Sequence, residues 1–303
     1  MPPSPHAWRD RGAALAAWAS PLLVVAMIGW LLLDLLLRGI SAPQPDPSVA
    51  DASLLERWAE FLTSAPQQAG RSGGILPMLV STMLILAVCL AAALPIGVGT
   101  ALLLSEVASA ENRFARTVRS SLDVLASVPS IVFGLFGNAL FCRWMGLRFS
   151  ILSGGLTLAC MVLPLLIRAA EEGFRAVSLG QRQAAFALGF SRTSTIFRII
   201  LPQAAPAIIV GLILAVGRAL AETAALIFTS GYVDRMPGSL LDSGRSLSIH
   251  IYDLAMNVIG GTPHAYATAL LLIVLLVGIN AAARSATRHF LPRFTMSSDG
   301  ELA

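Results

Sequence analysis

Charged residues are scarce in this sequence. Asp, Glu, Lys and Arg make up 13% of its 303 residues, whereas soluble domains average about a quarter. Hydrophobic residues make up 56%, and several nearly uncharged stretches reach the roughly 20 residues that a helix needs to cross a bilayer. The scarcity of charge therefore excludes an ordinary soluble domain and indicates a membrane protein.

Lysine is absent, so all 21 positively charged side chains other than histidine are arginines. These arginines are scattered through the segments between the apolar stretches and form no single basic patch. Such scattering excludes a groove for a nucleic-acid backbone and is typical of loop charges that fix the orientation of a membrane protein.

Metal-binding and catalytic motifs are missing as well. Cys89, Cys142 and Cys160 lie in or beside apolar segments without a CxxC or Cys/His cluster. This pattern gives neither a disulfide framework nor a zinc site and favours small buried hydrophobic side chains. Walker A, HExxH and GxSxG motifs are absent, so we expect no catalytic residues, no metal and no cofactor.

The apolar stretches predict an all-α polytopic membrane protein with six transmembrane helices. An apolar run beginning at Ala13 follows Arg9 and Arg11, but it is too long for the core of a signal peptide, so we interpret it as a retained anchor. The six predicted spans are residues 15–38, 75–104, 119–142, 151–170, 203–230 and 263–284.

Six spans place both termini on one side of the membrane, and the arginines indicate which side. With the termini inside, the inner segments hold more arginines than the outer loops, and Arg218 lies within a span. This bias predicts that both termini are cytoplasmic. The inner arginines are Arg9, Arg11, Arg113, Arg116, Arg119, Arg168, Arg175, Arg182, Arg192, Arg198, Arg284, Arg288 and Arg293, and the outer ones are Arg38, Arg57, Arg71, Arg143, Arg148, Arg235 and Arg245.

Two segments interrupt the series of spans. Residues 39–74 are rich in Pro, Ser and Gly and predict an outer loop that contains a short amphipathic helix near Leu54–Leu62. Residues 171–202 carry charges at helical spacing on the predicted cytoplasmic side. They contain the most informative motif of the chain.

That motif predicts a helix–turn–helix elbow. Gly189 follows an Ala/Leu-rich run and suits a left-handed helix cap, because no side chain opposes a positive φ. Ser191 or Thr193 can cap a second short helix, and Pro202 marks its passage into the next span. Small side chains at Ala184 and Ala185 would allow another backbone to approach, and Phe186 could anchor in a partner's pocket.

The elbow resembles the EAA loop of ABC-importer permeases, which has the pattern E-A-A-x3-G-x9-I-x-L-P. Every position matches except the first, where Gln183 replaces Glu, which removes a charge but keeps length and hydrogen-bonding capacity. The resemblance implies a type I ABC-importer permease whose elbow docks on an ATP-binding subunit. The implied docking residues are Gln183, Ala184, Ala185, Phe186, Gly189, Leu201 and Pro202. An ordinary interhelical elbow is the alternative.

The predicted fifth span contains Arg218 and Glu222, which are four residues apart and would share one helical face. A charge near the middle of a span costs roughly 2.5–3.5 kcal/mol on insertion scales, so it requires a reason. Pairing with Glu222 would relieve part of this cost, and the guanidinium fork also suits a tetrahedral oxyanion. A structural ion pair that joins two helices is the alternative.

Neighbouring residues strengthen the oxyanion interpretation. The run from Arg218 to Phe228 resembles R-x-x-G-E-T-A-P-L-L-F of phosphate permeases of the PstA type, with Ala221 and Ala225 in place of Gly and Pro. The run from Ser127 to Leu135 resembles the G-x-P-S-I-V-x-G-L segment of that family. Leu94-Pro95-Ile96-Gly97 and Ile249-His250-Ile251-Tyr252 also fit it.

The resemblance covers about residues 73–290 and implies a three-part organisation. Residues 1–72 would form an anchor helix and outer loop, 73–290 the permease domain with its EAA loop at 171–202, and 291–303 a cytoplasmic tail. The implied function is a subunit of a phosphate importer in the bacterial inner membrane, with Arg218, Glu222 and Thr223 in the substrate pathway. Implied partners are a PstC-type permease, two ATP-binding subunits and a periplasmic phosphate-binding protein.

Three alternatives remain open. The chain could be the PstC-type permease itself or a permease for another oxyanion. An ion-coupled secondary transporter would also place charges in a span, but it predicts inverted repeats, and none is visible. A membrane enzyme is the third alternative, and its expected motifs are absent.

Overall fold

The computed structural model describes residues 5–41, 53–108 and 112–290. The expected tail at 291–303 lies outside the described residues, as does the stretch 42–52 of the predicted outer loop. Within the described ranges the chain is helical apart from its connecting loops, the longest of which spans 228–246, and one antiparallel pair of two-residue strands.

Twelve α-helices and two strands succeed one another in the described ranges. Some helices are extended by π-helical turns, at Leu103–Val107, Asn138–Trp144 and Ile196–Ile200. The elements are α1 Pro5–Ser41, α2 Leu54–Thr63, β1 Pro66–Gln67, β2 Ser72–Gly73, α3 Leu76–Leu102, α4 Arg113–Ser127, α5 Ser130–Gly137, α6 Ile151–Ala176, α7 Leu179–Ala187, α8 Arg192–Thr195, α9 Leu201–Leu220, α10 Ala224–Ile227, α11 Leu247–Met256 and α12 Thr262–Phe290.

Five helical stretches among the described residues are long and apolar enough to cross a membrane. Arg113–Ser127 and Ser130–Trp144 form a bent pair at 105°, which brings the number of crossings to six if the pair counts as one span. The polytopic all-α prediction is therefore confirmed. The five stretches are Ala17–Ser41, Leu76–Val107, Ile151–Ala176, Arg192–Leu220 and Thr262–Ser285.

The prediction of a continuous third span at 119–142 was wrong. Helix α4 is amphipathic, with Ala115 and Leu122 buried, and it ends at Ser127. Pro129 starts the next helix, and the residue before a proline is driven out of the helical region, so Val128 is extended at φ −68° and ψ 130°. The apolar crossing therefore begins at Ser130.

The fifth span differs from its predicted bounds of 203–230 at both ends. It begins at Arg192, because α8, the π-helical turn Ile196–Ile200 and α9 form one continuous helix. It ends at Leu220, ten residues before the predicted end, and the short helix α10 follows separately. Arg218 consequently lies in the last turn of α9 and not at the middle of a span.

The core lies where α3, α6 and α9 pack together. Glycines allow this close approach, since a Cβ at Gly155 would come within 2.5 Å of Val88 and one at Gly97 within 2.8 Å of Leu166. Small residues at helix contacts are the usual way in which membrane helices gain van der Waals packing. Leu158, Leu166 and the other members of this cluster are buried.

The remaining elements pack around this core. Helix α1 leaves most side chains of residues 17–41 exposed and approaches α12 where Gly39 meets Leu270. Helix α2 confirms the helix predicted near Leu54–Leu62, and Ser53 and Glu56 close its first turn with a capping box. Phe61 anchors α2 in a small apolar cluster with Ile75, Met78, Leu247 and Ala267.

Candidate functional site

The turn of the elbow is a Schellman motif centred on Gly189. The amide of Phe190 donates to the carbonyl of Ala185 at 3.1 Å, and the amide of Gly189 donates to that of Phe186 at 3.0 Å. Gly189 has φ +79°, and a Cβ there would meet no atom within 4 Å. The glycine is therefore required by backbone conformation and not by space, as the sequence predicted.

Serines cap both short helices of the elbow. The Ser178 hydroxyl accepts from the Gln181 amide at 3.4 Å, and the Ser191 hydroxyl accepts from the Ser194 amide at 3.2 Å. The predicted cap at Ser191 is thus confirmed. Pro202 does not end the second helix, because the preceding π-helical turn carries it into α9. A proline lacks the amide that would bond to the carbonyl four residues earlier, which suits this change of spacing.

The predicted docking residues do not all face outward. Phe186 is 51% exposed, and Gln183 and Ala184 are exposed beside it, whereas Ala185 is buried against the chain itself. Leu201 and Pro202 are partly buried in the first turn of α9. The exposed apolar surface of the elbow also includes Leu179 and Leu188, at 74% and 78% exposure, which the motif did not single out.

Beneath the elbow lies an ion pair that the sequence interpretation missed. The guanidinium of Arg182 in α7 pairs with the carboxylate of Glu106, in the π-helical turn that follows α3. It also donates to the backbone carbonyls of Phe174 at 2.6 Å and Val177 at 3.3 Å, where α6 ends. Helix ends leave such carbonyls without intrahelical partners, so the arginine satisfies them.

A second arginine contacts the same end of α3 from α4. Arg119 pairs through Nε with Glu171 of α6 at 2.8 Å, and its Nη2 donates to the carbonyl of Leu104 at 2.8 Å. Arg175 also pairs with Glu171, one helical turn away. The sequence interpretation assigned these arginines only a role in fixing the orientation of the chain in the membrane. The helical spacing of Glu171 and Arg175 was the one sequence signal for the cluster.

Arg218 stands on an uncovered face of α9. Arg218 is exposed, as are Val210 and Leu214, which precede it by two turns and one turn of the same face. Within the described residues its guanidinium has no hydrogen bond or ion pair. The predicted Arg218–Glu222 pair is therefore wrong for the isolated chain.

The reason is that the helix ends between the two residues. The carboxylate of Glu222 turns to the next helix and accepts from the amide of Ala225 at 3.1 Å, and the Glu222 carbonyl accepts from the Ser248 hydroxyl at 2.6 Å. Glu222 thus caps α10 and holds a helix break together, so the geometry of residues four apart in one helix does not apply.

Thr223 lies inside the same break. It is partly buried and starts α10 without a side-chain hydrogen bond to the helix. The substitution at Ala225 is accommodated by α5, because a Cβ on Gly134 would come within 2.8 Å of the Ala225 Cα. Helices α10 and α5 consequently meet almost backbone to backbone.

The end of the molecule opposite the elbow contains a buried charged cluster outside the spanning helices. Arg245 pairs with Asp253 at 3.0 Å, and its Nη1 lies 3.5 Å from Nδ1 of His250, which is 1% exposed. Burial lowers the pKa of His250 to about 3, and the charges of Arg245 and His264 act in the same direction while Asp253 opposes them. His250 is therefore neutral at physiological pH.

A family comparison decides the class of this protein. Residues 93–296 match the model of the binding-protein-dependent transport system inner membrane component family. The match covers more than half of the chain. The chain belongs to this family.

Relatives agree with that assignment. The chain is 32% identical over 278 residues to the phosphate transport system permease protein PstA of Mycobacterium leprae. The aligned region covers 90% of this chain and 86% of the relative. It is 32% identical over 242 residues to the probable ABC transporter permease protein YqgI of Bacillus subtilis, covering 74% of this chain and 81% of the relative.

Solved structures share the fold. A chain of a bacterial ABC transporter involved in the import of the acidic polysaccharide alginate superposes with a TM-score of 0.64 at 17% identity, over 96% of this chain and 99% of that one. A chain of the MetNI methionine ABC transporter gives a TM-score of 0.56 at 18% identity, over 72% and 94%. The type I ABC-importer architecture is thereby confirmed.

Family membership makes this chain a multi-pass inner-membrane subunit of a binding-protein-dependent transport system. The alternative of an ion-coupled secondary transporter is set aside by the same finding. The permease class was correctly predicted from the elbow motif, whereas the bend at Pro129 and the break after Leu220 were not.

Proposed function

We propose that this chain is a permease subunit of an ATP-driven phosphate importer, and that it forms half of the translocation pathway together with a PstC-type permease. The observation that carries the proposal is the similarity to phosphate permeases of the PstA kind over 278 residues. Further relatives with that name include two from Mycobacterium tuberculosis strains, each 34% identical over 218 residues.

The position of Arg218 supports an anion as the substrate. Its guanidinium has no described partner in its own chain and stands on an exposed face of a spanning helix. A cation in the last turn of a spanning helix is stabilised by a compensating contact or a path to water. An adjoining permease and a hydrated phosphate provide both, because the planar fork of five donors matches a tetrahedral oxyanion.

Glu222 and Thr223 have a different role in this proposal. Glu222 fixes the break that ends α9 just beyond Arg218, since its carboxylate and carbonyl are both engaged. Its charge also lowers the local positive potential and so limits how tightly an anion is held, which favours exit as well as entry. Thr223 contributes a hydroxyl beside the pathway.

The elbow is the docking surface for an ATP-binding subunit in this proposal. Phe186, Leu179 and Leu188 expose apolar side chains beyond the spanning helices, and large exposed apolar side chains in a cluster indicate an interaction site. Gln183 and Ala184 lie on the same exposed side. The elbow and both termini then face the cytoplasm, where two ATP-binding subunits bind, and a phosphate-binding protein docks on the opposite face.

The chain itself contributes no ATP hydrolysis and no cofactor chemistry in this proposal; the ATP-binding subunits hydrolyse the nucleotide. The test is uptake of radiolabelled phosphate by proteoliposomes that contain the assembled importer, with the binding protein and ATP supplied on their proper sides. Phosphate uptake that requires ATP is expected. Uptake of sulfate or molybdate in its place would support another oxyanion and overturn the assignment.

A further inference from the structure

The end of α3 is held from two sides by arginines of different elements. Arg182 reaches it from α7 through the carboxylate of Glu106, and Arg119 reaches it from α4 through the carbonyl of Leu104. Both contacts fall within the π-helical turn Leu103–Val107. This turn therefore joins the elbow to α4, although α7 and α4 are far apart in the sequence.

Two residues of α7 contact the rest of the chain most closely. Ala185 is the buried residue of α7, and Arg182 is its only charged residue. The Arg182 side chain is 18% exposed and that of Glu106 is 9% exposed, so solvent screens this pair far less than a surface pair. Arg182 consequently provides a direct contact between the elbow and the end of α3.

The second half of the connection ends at the bend. Arg119 anchors α4 to Glu171, which is 3% exposed, and Arg168 of α6 pairs with Asp123 one turn further along α4. The axis of α4 then meets the axis of the apolar helical stretch Ser130–Trp144 at an angle of 105°. The two helices are joined only by Val128 and Pro129, so this short connection is the route from α4 to the apolar helix in the proposal below.

Stability alone does not account for this arrangement. Replacing a buried ion pair by apolar residues of similar volume is often neutral or stabilising. A role in fixing the relative position of two elements is the hypothesis that such a pair suggests.

We propose that Arg182, Glu106 and Arg119 form a clasp that couples movement of the elbow to movement of α4. Arg182 is a positioning residue, because it acts through Glu106 and touches no substrate. The proposal rests on the proposed function, in which an ATP-binding subunit displaces the elbow. It adds to that function the route by which the displacement reaches the bent crossing.

Transport stoichiometry tests the clasp in the assembled importer. In Arg182→Ala and Glu106→Gln, the ratio of phosphate moved to ATP hydrolysed should fall about tenfold, within the range of coupling between distant sites. The exchanged pair Arg182→Glu with Glu106→Arg should recover part of the ratio. Arg116→Ala is the matched control, since Arg116 is an exposed arginine of α4 outside these ion pairs. An unchanged ratio in Arg182→Ala would overturn the clasp, as would a proportional loss of transport and hydrolysis.

A distance measurement tests the clasp without reference to the substrate. Spin labels at Gln181 in α7 and Ser120 in α4, both exposed positions, would report whether the two helices move together. Their separation should stay the same on ATP binding with the Arg182–Glu106 pair intact and change in Arg182→Ala. A change with the pair intact, or none in either protein, would refute the clasp. If the distances behave as expected while no phosphate is transported, the clasp stands and the phosphate assignment fails.

Discussion

The Ser248 hydroxyl donates to the backbone carbonyl of Glu222 at 2.6 Å, across 26 residues of sequence. This bond fastens α11 to the break between α9 and α10, where the Glu222 carboxylate also caps α10. The two contacts stabilise the end of α9 immediately beyond Arg218. The geometry of the candidate pathway therefore depends on a residue outside the spanning helices.

Glu222→Gln should retain the break, because an amide oxygen can still accept from the Ala225 amide, whereas Glu222→Ala should lose the cap at about 1 kcal/mol. We expect Gln to leave thermal stability nearly unchanged in detergent and to slow phosphate turnover, since the negative charge near Arg218 is lost. Ala should lower both. Normal turnover in Glu222→Gln would refute a role for the charge in release.

Arg218→Ala should reduce phosphate uptake by about tenfold or more, because hydrogen bonds to charged groups contribute about 1.5–3 kcal/mol. Arg218→Lys should rescue poorly, since an ammonium lacks the bidentate fork. Uptake would be measured on complexes shown by gel filtration to be assembled. Arg113→Ala, at another exposed arginine, is the control. Full uptake by the assembled Arg218→Ala complex would remove Arg218 from the pathway.

Gly189→Asn should be tolerated better than Gly189→Ala, and Gly189→Val should be the worst, because open space surrounds this position and only its φ of +79° restricts it. The Gly189→Ala change should lower the free energy of unfolding by about 1 kcal/mol. Hydrogen exchange at the Phe190 amide would measure how often the Schellman turn opens. Equal exchange rates in the Asn and Val variants would contradict this explanation.

Acidification should destabilise the end of the molecule that holds His250. Its pKa is lowered from an ordinary 6.5 to about 3, so between these values the unfolded chain binds a proton that the folded chain does not. Stability is therefore lost as the pH falls below about 6.5, by on the order of 2 kcal/mol at pH 5. Thermal unfolding in detergent from pH 7 to 5 should show a smaller loss in His250→Gln. Parallel curves for the two proteins would contradict a contribution from His250.

Two truncations should distinguish the anchor helix from the permease body. Deleting residues 1–52 should leave a folded protein, because α1 keeps most side chains of residues 17–41 exposed and meets α12 near Leu270. Deleting residues 1–72 should destabilise it by several kcal/mol, since Phe61 is 1% exposed in a shared apolar cluster. Thermal unfolding of both proteins would show the difference. Equal stability would place the domain boundary at residue 72.

The sequence predicted those features that local chemistry determines. Apolar runs gave the spanning helices, the freedom of Gly189 gave the turn of the elbow, and Ser191 gave its cap. The break after Leu220 was missed because Ala221 and Ala224 continue a helical pattern, and the bonds that end the helix come from Ser248 and from Glu222 itself. The Ser248 bond is a tertiary contact, and nothing in the local sequence indicates it.

The bend at Pro129 had a local signal that hydropathy concealed. Residues around Val128 are uncharged, so a search for apolar segments joins α4 to α5, although a residue before proline rarely remains helical. The Arg182–Glu106 pair was beyond local inference, because its partners are 76 residues apart.

The π-helical turn Ile196–Ile200 sets the direction in which the elbow points around the axis of α9. Such a turn holds one residue more than an α-helical turn, and each residue of an α-helix advances the direction of the side chains by about 100°. Without the extra residue, α8 and the exposed Phe186 would be rotated by roughly a quarter of a circle about the axis of α9, relative to the face that carries Arg218. A single inserted residue thus sets the angle between two surfaces. One faces the partner of the elbow, and the other faces the pathway.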